Sequence, residues 1–175
     1  MPLNLASMSS YDHLEFEDLL LEADELIRSN KIADAIHLLE GMISQAPDYG
    51  KAYNHLGWVY ETKLKEYALA ETMYKQCLAY HPEYPPVYLN LSIVLSTLGK
   101  HVELEQLLTK GLKVPGVDKA AIYNEFGILY EMQLDYVRAT QNFKLAIQHS
   151  FNDLNIDNYL KSINRCRIKT EVFCS

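Results

Sequence analysis

The chain has few of the residues that active sites and metal sites usually require. Its three cysteines, Cys77, Cys166 and Cys174, are odd in number and show neither zinc-site nor redox spacing. The six histidines are scattered, without the paired helical spacing of a zinc site. The seven glycines are isolated, so no glycine-rich phosphate-binding loop is present. We therefore predict no catalytic residues, no bound metal, no cofactor and no enzymatic activity.

Long apolar runs and an excess of positive charge are also missing. No stretch approaches the roughly 18 uncharged apolar residues that a membrane span needs. The first ten residues lack the basic start and apolar run of a secretory signal. The net charge is −7, and an acidic balance argues against nucleic acid as a partner. We predict a cytoplasmic protein that neither spans a membrane nor binds nucleic acid.

The charge is unevenly placed along the chain. Residues 1–40 hold nine acidic residues against two basic ones, and four basic residues fall within residues 161–169. One interpretation is a solvated capping helix at each end. The other is a cationic partner at the acidic end, or association of copies through the acidic first helix and the basic last helix.

A repeated pattern of aromatic and small residues is the strongest feature that is present. Tyr-x-x-Leu-Gly-x-x-Tyr begins at Tyr53, Tyr-x-x-Phe-Gly-x-x-Tyr begins at Tyr123, and a weaker copy begins at Tyr88. The first tyrosines of successive copies are 35 positions apart. A period of this length is typical of stacked helix pairs.

This pattern resembles the signature of the tetratricopeptide-repeat family over about residues 11–168. The resemblance implies an all-α fold, a right-handed superhelical solenoid of antiparallel helix pairs forming one domain. The implied segments are a flexible tail at 1–10, repeats at about 11–47, 48–82, 83–117 and 118–151, a capping helix at about 154–168 and a tail at 169–175. The capping helix is expected to have a polar outer face.

The best copy of the repeat allows two more detailed predictions. Gly57 is expected to face Ala70 so that two helices approach closely, with Tyr60 and Tyr74 on either side. The turn at 61–66 is expected to contain one extra residue compared with the other repeats.

The resemblance also implies a concave groove lined by the first helix of each repeat. A second stripe on those helices, rotated by about 100° from the packing stripe, should face the groove. The candidate partner-binding residues on this stripe are Asn54, Trp58, Leu89, Ile93, Asn124, Ile128 and Met132. The apolar members would anchor a partner, and the asparagines could bond a peptide backbone. Alternatively, Ile93 and Ile128 lie in the core and the asparagines are solvated surface.

The function implied by the resemblance is a non-enzymatic protein–protein interaction module that binds a peptide or helix of a partner protein in its groove. Two alternatives remain open: a dedicated chaperone for a secreted or aggregation-prone client, and a homo-oligomeric structural component joined through its terminal helices. Family members that grip chaperone carboxylates use cationic and amide side chains on the first helices. The matching positions here are apolar, acidic or histidine, so we expect no binding of anionic chaperone tails.

Overall fold

The computed structural model describes residues 10–173, with side chains from residue 14 onward, and this part of the chain contains helices and turns only. Consecutive helices pack in pairs, α1 with α2, α3 with α4, α5 with α6 and α7 with α8, and α9 packs on α8. The all-α fold of helix pairs predicted from the sequence is confirmed. The nine α-helices of residues 10–173 are α1 (Ser10–Arg28), α2 (Ile32–Gln45), α3 (Gly50–Val59), α4 (Tyr67–Tyr80), α5 (Pro85–Thr97), α6 (His101–Gly111), α7 (Lys119–Met132), α8 (Tyr136–His149) and α9 (Asp153–Phe173).

The last helix is longer than the sequence predicted. It begins at Asp153 and ends at Phe173, so residues 169–173 belong to the helix and not to a tail. The extra turn is supported by Lys169, which bonds to a carboxylate on α7, and by the Thr170 hydroxyl, which donates to the Cys166 carbonyl. The predicted tail at 1–10 lies outside the described residues except for Ser10, where α1 begins. Residues 174 and 175 also lie outside them.

The outer face of α9 is also less polar than predicted. Leu154, Leu160, Ile168 and Val172 are between 47% and 67% exposed on this helix. Only Tyr159 and Cys166 are buried. The prediction was wrong because it considered only the apolar residues that pack inward and the polar residues next to them.

The chain divides into two compact units, with the boundary between Pro82 and Glu83. This boundary coincides with the predicted junction of the second and third repeats. The extent of a single domain at 11–168 stays a prediction. In the first unit the buried cluster draws on three helices, α1, α2 and α3; its members include Phe16, Leu20, Ala23, Ile27, Ala35, Leu39, Met42, Leu56 and Val59. In the second unit the fully buried side chains include Leu91, Leu95, Leu104, Leu108, Ile122, Leu129 and Phe143.

The turn inside each predicted repeat is built in the same way. One residue with positive φ ends the first helix of the pair, and only one of the four is glycine: Asn30, Lys65, Gly99 and Leu134. In three of the turns the next amide donates to the carbonyl five residues back, as from Lys31 to Leu26. Such a left-handed residue is a common way to end a helix.

The second repeat differs from the others by one residue in this turn. Its corresponding bond runs from the Glu66 amide to the Tyr60 carbonyl, six residues back, at 2.9 Å. The extra residue lies in a π-helical segment, Tyr60–Leu64, that continues α3. The predicted one-residue insertion is therefore confirmed.

The two repeat glycines lie against aromatic rings. A Cβ atom on Gly57 would lie 2.7 Å from the ring of Tyr74, and one on Gly127 would lie 2.5 Å from the ring of Phe143. The atoms nearest to this Cβ position of Gly57 belong to Tyr74, which was predicted to lie beside the close contact; that Ala70 faces Gly57 stays a prediction. A flat ring contacts the helix backbone only where no side chain intervenes.

Candidate partner-binding surfaces

In the second unit, α5 and α7 lie side by side and expose apolar side chains. The Ser96 hydroxyl donates to the sulfur of Met132 at 3.7 Å, which joins the two helices directly. Met132 is 47% exposed, and Ile93, about one turn before Ser96, is 46% exposed. Leu89 and Ile128 lie one turn further back on their helices and are half-buried. We call this set the α5–α7 surface.

Two questions about the α5–α7 surface were open in the sequence. Ile93 is exposed and Ile128 is half-buried, so neither belongs to the fully buried core. Asn124 is half-buried, and its side-chain amide donates to Glu125 Oε1 at 3.3 Å. Burial raises the pKa of Glu125, and this bond partly opposes the shift. Whether any of these residues binds a partner stays a prediction.

The chemistry of the α5–α7 surface is apolar and largely uncharged. Helix α5 contains no charged residue. Two of its hydroxyls serve the helix itself, since Ser92 donates to the carbonyl of Leu89 at 2.7 Å and Thr97 to that of Ile93 at 2.9 Å. A surface of this kind favours an uncharged apolar ligand over an ionic one, because no side chain of α5 offers a counter-ion.

A small cavity lies at the N-terminal end of the same surface. Its volume is about 330 Å³, and it is formed where the turn before α7 passes the start of α5. Gly116, with φ of +79°, lets this turn pass close to Pro85. The residues that line the cavity are Pro85, Pro86, Leu89, Asn90, Gly116 and Asp118. Because Leu89 belongs to both, the cavity extends the α5–α7 surface.

In the first unit, the predicted residues Asn54 and Trp58 lie one turn apart on α3. Trp58 is 37% exposed, and the ammonium group of Lys63 lies 5.4 Å from the centre of its ring. Asn54 is buried, with 6% of its surface exposed, so it is not the solvated surface residue of the alternative interpretation. The aromatic face of Trp58 is the accessible part of this pair.

Polar contacts between α1 and the α3 region occupy the neighbouring surface of the first unit. Glu17 Oε1 accepts hydrogen bonds from Lys51 Nζ at 2.6 Å and from the Tyr49 hydroxyl at 2.7 Å. The imidazole of His55 lies 3.7 Å from the carboxylate of Asp24. An acidic group next to this histidine disfavours an anionic ligand. That anionic chaperone tails do not bind stays a prediction.

A charged cluster that sequence reasoning missed fixes α9 to α7. Glu131 is 8% exposed and accepts two bonds from the guanidinium of Arg165, at 2.7 and 2.6 Å, and one from Lys169 at 2.8 Å. The bonds from Arg165 are the main cause of a pKa of Glu131 below its usual value. The bond from Lys169 also lowers this pKa, whereas burial opposes the shift. A signal was available: Arg165 follows Glu131 by 34 positions, about one repeat period, and such residues lie on neighbouring helices.

A buried polar pair lies at the π-helical segment. The hydroxyl of Tyr74 donates to Glu61 Oε2 at 2.7 Å, and the two residues are 0% and 8% exposed. Burial raises the pKa of Glu61, and the bond from Tyr74 limits that rise. The pKa of the Tyr74 hydroxyl is raised far above its usual value, first by burial and then by this carboxylate. Glu61 therefore supports the core of the first unit and does not face a groove.

Residues 10–173 offer little else for chemistry. No group of three or more histidine, cysteine or acidic side chains in this range is placed to hold a metal ion. Nor is any of its helices both long and apolar enough to cross a membrane. Burial raises the pKa of Cys77 to about 12, which leaves its thiol protonated and unreactive at neutral pH. The third cysteine, Cys174, lies outside the described residues.

Comparison with known proteins relates the chain to other repeat proteins. No model of a known protein family matches the sequence. The human protein named tetratricopeptide repeat protein 13 is 29% identical over 134 residues, which are 73% of this chain. The chain spans about 15% of the length of that curated relative.

Three solved structures are similar in fold. BtubC from P. vanneervenii has a TM-score of 0.78 at 16% identity, over 90% of this chain and 74% of its own. YrrB is described as a TPR protein with an unusual peptide-binding site. It has a TM-score of 0.71 at 17% identity, over 87% of this chain and 76% of its own. MamA has a TM-score of 0.68 at 22% identity, over 76% of this chain and 77% of its own. With its repeated helix pairs, the chain therefore has the fold of the tetratricopeptide-repeat proteins.

Proposed function

We propose that this chain is a protein-interaction module and that its α5–α7 surface binds an uncharged, apolar segment of a partner protein. The observation that carries the proposal is the contact between Ser96 and Met132, which aligns two helices bearing half-exposed Ile93 and Met132. The likeness to YrrB supports a peptide as the ligand, because that relative is described by its peptide-binding site. Binding is proposed over catalysis, since folds of this kind usually present surfaces for partners.

The exposed apolar groups set the scale of the affinity. Full burial of one large apolar side chain contributes about 1.5–3 kcal/mol. Ile93 and Met132 are each roughly half-exposed, so covering them contributes about 1 kcal/mol apiece. Leu89, Ile128 and the cavity beside Pro85 add to this, and micromolar binding needs about 8 kcal/mol in all. A hydrogen bond between Asn124 and the ligand backbone would add about 1 kcal/mol more.

In the first unit we propose Trp58 as a second, separate anchor. Its ring is 37% exposed and carries the ammonium of Lys63 over one face. Exposed tryptophan is strongly enriched among the residues that dominate binding energies. Asn54, buried one turn earlier, would then support the helix under the tryptophan and contact a ligand only through a local rearrangement.

The test is capture of a partner by the wild-type chain and by three variants of equal helicity. Ile93→Ser with Met132→Ser removes the apolar side chains of the α5–α7 surface, and Trp58→Ala removes the anchor of the first unit. Val102→Ser is the matched control, because Val102 is 72% exposed on α6 and belongs to neither proposed binding surface. We expect the double variant to bind any partner of the wild type at least about tenfold more weakly, and the control to bind normally.

The outcomes separate the two surfaces. A partner lost only by Trp58→Ala would contradict a role for the α5–α7 surface and leave the first unit as the binding site. A partner that binds the double variant, Trp58→Ala and the wild type equally well would refute the proposed function. Hydrogen exchange with the captured partner bound should show slower exchange at the C-terminal ends of α5 and α7.

A further inference from the structure

One acidic side chain, Glu125, belongs to the face of α7 that borders α5. Met132 contacts Ser96 on α5, and Glu125 precedes Met132 by seven residues on α7. Residues at this interval lie on one face of a helix. Leu89 precedes Ser96 by the same seven residues on α5. Because one cavity lies between the starts of α5 and α7, the two helices run in the same direction, which places Glu125 and Leu89 at the same level of the α5–α7 surface.

Glu125 is half-buried without a cationic partner. Its hydrogen bond within residues 14–173 is a long one, 3.3 Å, from the side-chain amide of the adjacent Asn124. None of the ion pairs among these side chains includes it. Burial raises the pKa of Glu125, and only the amide of Asn124 opposes the shift.

The other poorly exposed glutamates show that this situation is exceptional in the described part of the chain. Five further glutamates are buried or half-buried, and each accepts a hydrogen bond of 2.6 or 2.7 Å from a lysine, an arginine or a tyrosine hydroxyl. They are Glu17, Glu61, Glu71, Glu105 and Glu131. A carboxylate removed from water normally needs such a donor, and Glu125 lacks one.

We propose that the ligand of the α5–α7 surface supplies this donor, as a lysine or arginine that stands next to its apolar segment and pairs with Glu125. A cationic donor is favoured because charge-assisted hydrogen bonds are roughly twice as strong as neutral ones. Helix α5 carries no charge, and Glu131 on α7 is already bound by α9, so Glu125 is the acid available within the surface. This inference rests on the proposed function, and it adds the chemistry of one ligand residue.

The positions of Glu125 and Met132 also set the spacing within the ligand. Seven residues of α-helix span about 10 Å. The cationic group of the ligand should therefore lie about that far along the surface from the side chain that covers Met132. An extended peptide spans the distance with about three residues. We expect the basic residue about three positions from an apolar anchor residue.

The experiment selects displayed random peptides, about twelve residues long so that they span both positions, on the wild-type chain and on four variants. Glu125→Gln removes the charge and keeps the size, and Glu125→Lys reverses the charge. Glu83→Gln is the matched control, because Glu83 is an exposed acid of the same unit that does not belong to the surface. Ile93→Ser with Met132→Ser removes the apolar anchors. Circular dichroism verifies that all variants are folded.

The expected peptides need Ile93 and Met132 and carry a lysine or arginine about three positions from an apolar residue. Replacing that basic residue by norleucine should weaken binding to the wild type at least about tenfold, and should change binding to Glu125→Gln much less. Glu125→Lys should select an acidic residue at the same position. Glu83→Gln should select the same peptides as the wild type.

The failures of the two proposals are distinguishable. Peptides that need Ile93 and Met132 but show no basic residue, or whose basic residue is still selected by Glu125→Gln, would overturn this inference and leave the proposed function intact. A selection without any peptide that needs Ile93 and Met132 would overturn both.

Urea unfolding of the free chain checks the premise that Glu125 is unpaired. Glu125→Gln should raise the urea midpoint, because it removes a half-buried charge that no cation neutralises. Glu131→Gln should lower it, because that carboxylate is bound by Arg165. A lower midpoint for Glu125→Gln would show that its carboxylate already has a stabilising partner in the folded chain and would overturn the proposal.

Discussion

Replacing Glu131 by glutamine tests how α9 is attached to the rest of the second unit. Glu131 lies on α7 and is 8% exposed. Three hydrogen bonds of 2.6–2.8 Å reach it from Arg165 and Lys169 on α9. Glutamine keeps the size and one acceptor oxygen, but it removes the negative charge and offers an amide to the cations. The substitution therefore isolates the ionic part of the contact.

The expected loss follows from these three bonds. A hydrogen bond to a charged group contributes about 1.5–3 kcal/mol net. The full sum would overstate the effect, because the side chains of Arg165 and Lys169 are 49% and 38% exposed and can be rehydrated. Removing one partner of a buried ion pair costs about 3–5 kcal/mol when the other stays buried. Because the cations of Arg165 and Lys169 do not stay buried without Glu131, we expect Glu131→Gln to lower the free energy of unfolding by about 2 kcal/mol.

Thermal and urea unfolding measure this loss. A change of about 2 kcal/mol should lower Tm by about 4–8 °C if the whole chain unfolds cooperatively. The control is Glu171→Gln, because Glu171 pairs with Arg167 at 3.6 Å and both side chains are more than 60% exposed. That exposed pair should contribute between 0 and about 0.5 kcal/mol. Equal losses in the two variants, or a loss below about 0.5 kcal/mol for Glu131→Gln, would refute the reasoning.

The pH dependence provides a second check on Glu131. Its pKa is lower in the folded chain than in the unfolded chain, chiefly because Arg165 donates to it. The folded state therefore binds fewer protons, so this stabilisation is complete above the unfolded pKa near 4.5 and is lost as pH falls through the folded value. The difference in stability between wild type and Glu131→Gln should accordingly be constant near neutral pH and shrink below about pH 4.5.

Three further substitutions test the packing of the core. Gly127→Ala should destabilise by about 1–3 kcal/mol in urea unfolding, because the new Cβ would lie 2.5 Å from the buried ring of Phe143. Gly41→Ala should instead raise the free energy of unfolding by about 0.5–1 kcal/mol, since nothing in the rest of the structure lies within 4 Å of the added Cβ on this helical glycine. Tyr74→Phe should cost about 1–3 kcal/mol at pH 7, because Glu61 loses its donor. That cost should shrink towards pH 4.5, where a protonated Glu61 no longer needs the donor, and a pH-independent loss would contradict this account.

Much of the fold could be predicted because the repeat pattern records packing. The tyrosines at 53, 88 and 123 set the period, and every helix pair falls within a predicted repeat. Even the one-residue insertion was visible, since Tyr60 and Ala70 are one position further apart than Tyr130 and Ala139, and this comparison needs no knowledge of contacts. What the period does not record is which side chains meet, such as the ring of Tyr74 that lies nearest to the Cβ position of Gly57.

The candidate site was predicted less completely, and the reasons are physical. Helical spacing placed Ile93 and Met132 on one surface, where both are exposed. The same spacing put Asn54 among the ligand-binding residues, yet it is buried. Spacing gives the direction of a side chain around its own helix, but burial also depends on what the neighbouring helices place over it. The bonds from Arg165 and Lys169 to Glu131 were missed because they depend on the reach of long side chains between helices.

The degenerate repeats are explained by compensation between facing positions. Gly57 and Gly127 occur with the aromatic residues Tyr74 and Phe143 on the second helix of the pair. At the corresponding positions, the first repeat has Ala23 with Leu39 and the third has Ser92 with Leu108, and all four are 0% exposed. A larger residue on the first helix thus accompanies a smaller one on the second.

Close packing requires this exchange, because an interior at crystal-like density tolerates neither a gap nor an overlap of one methylene group. The consequence concerns how the family pattern is interpreted. A residue such as Ser92, which departs from the glycine of the pattern, does not by itself mark a weak or functional repeat. Its departure is matched by that of Leu108, and both are fully buried. Functional residues should be sought at exposed positions that the pattern does not specify, as with Ile93 and Met132 on the largely uncharged α5–α7 surface.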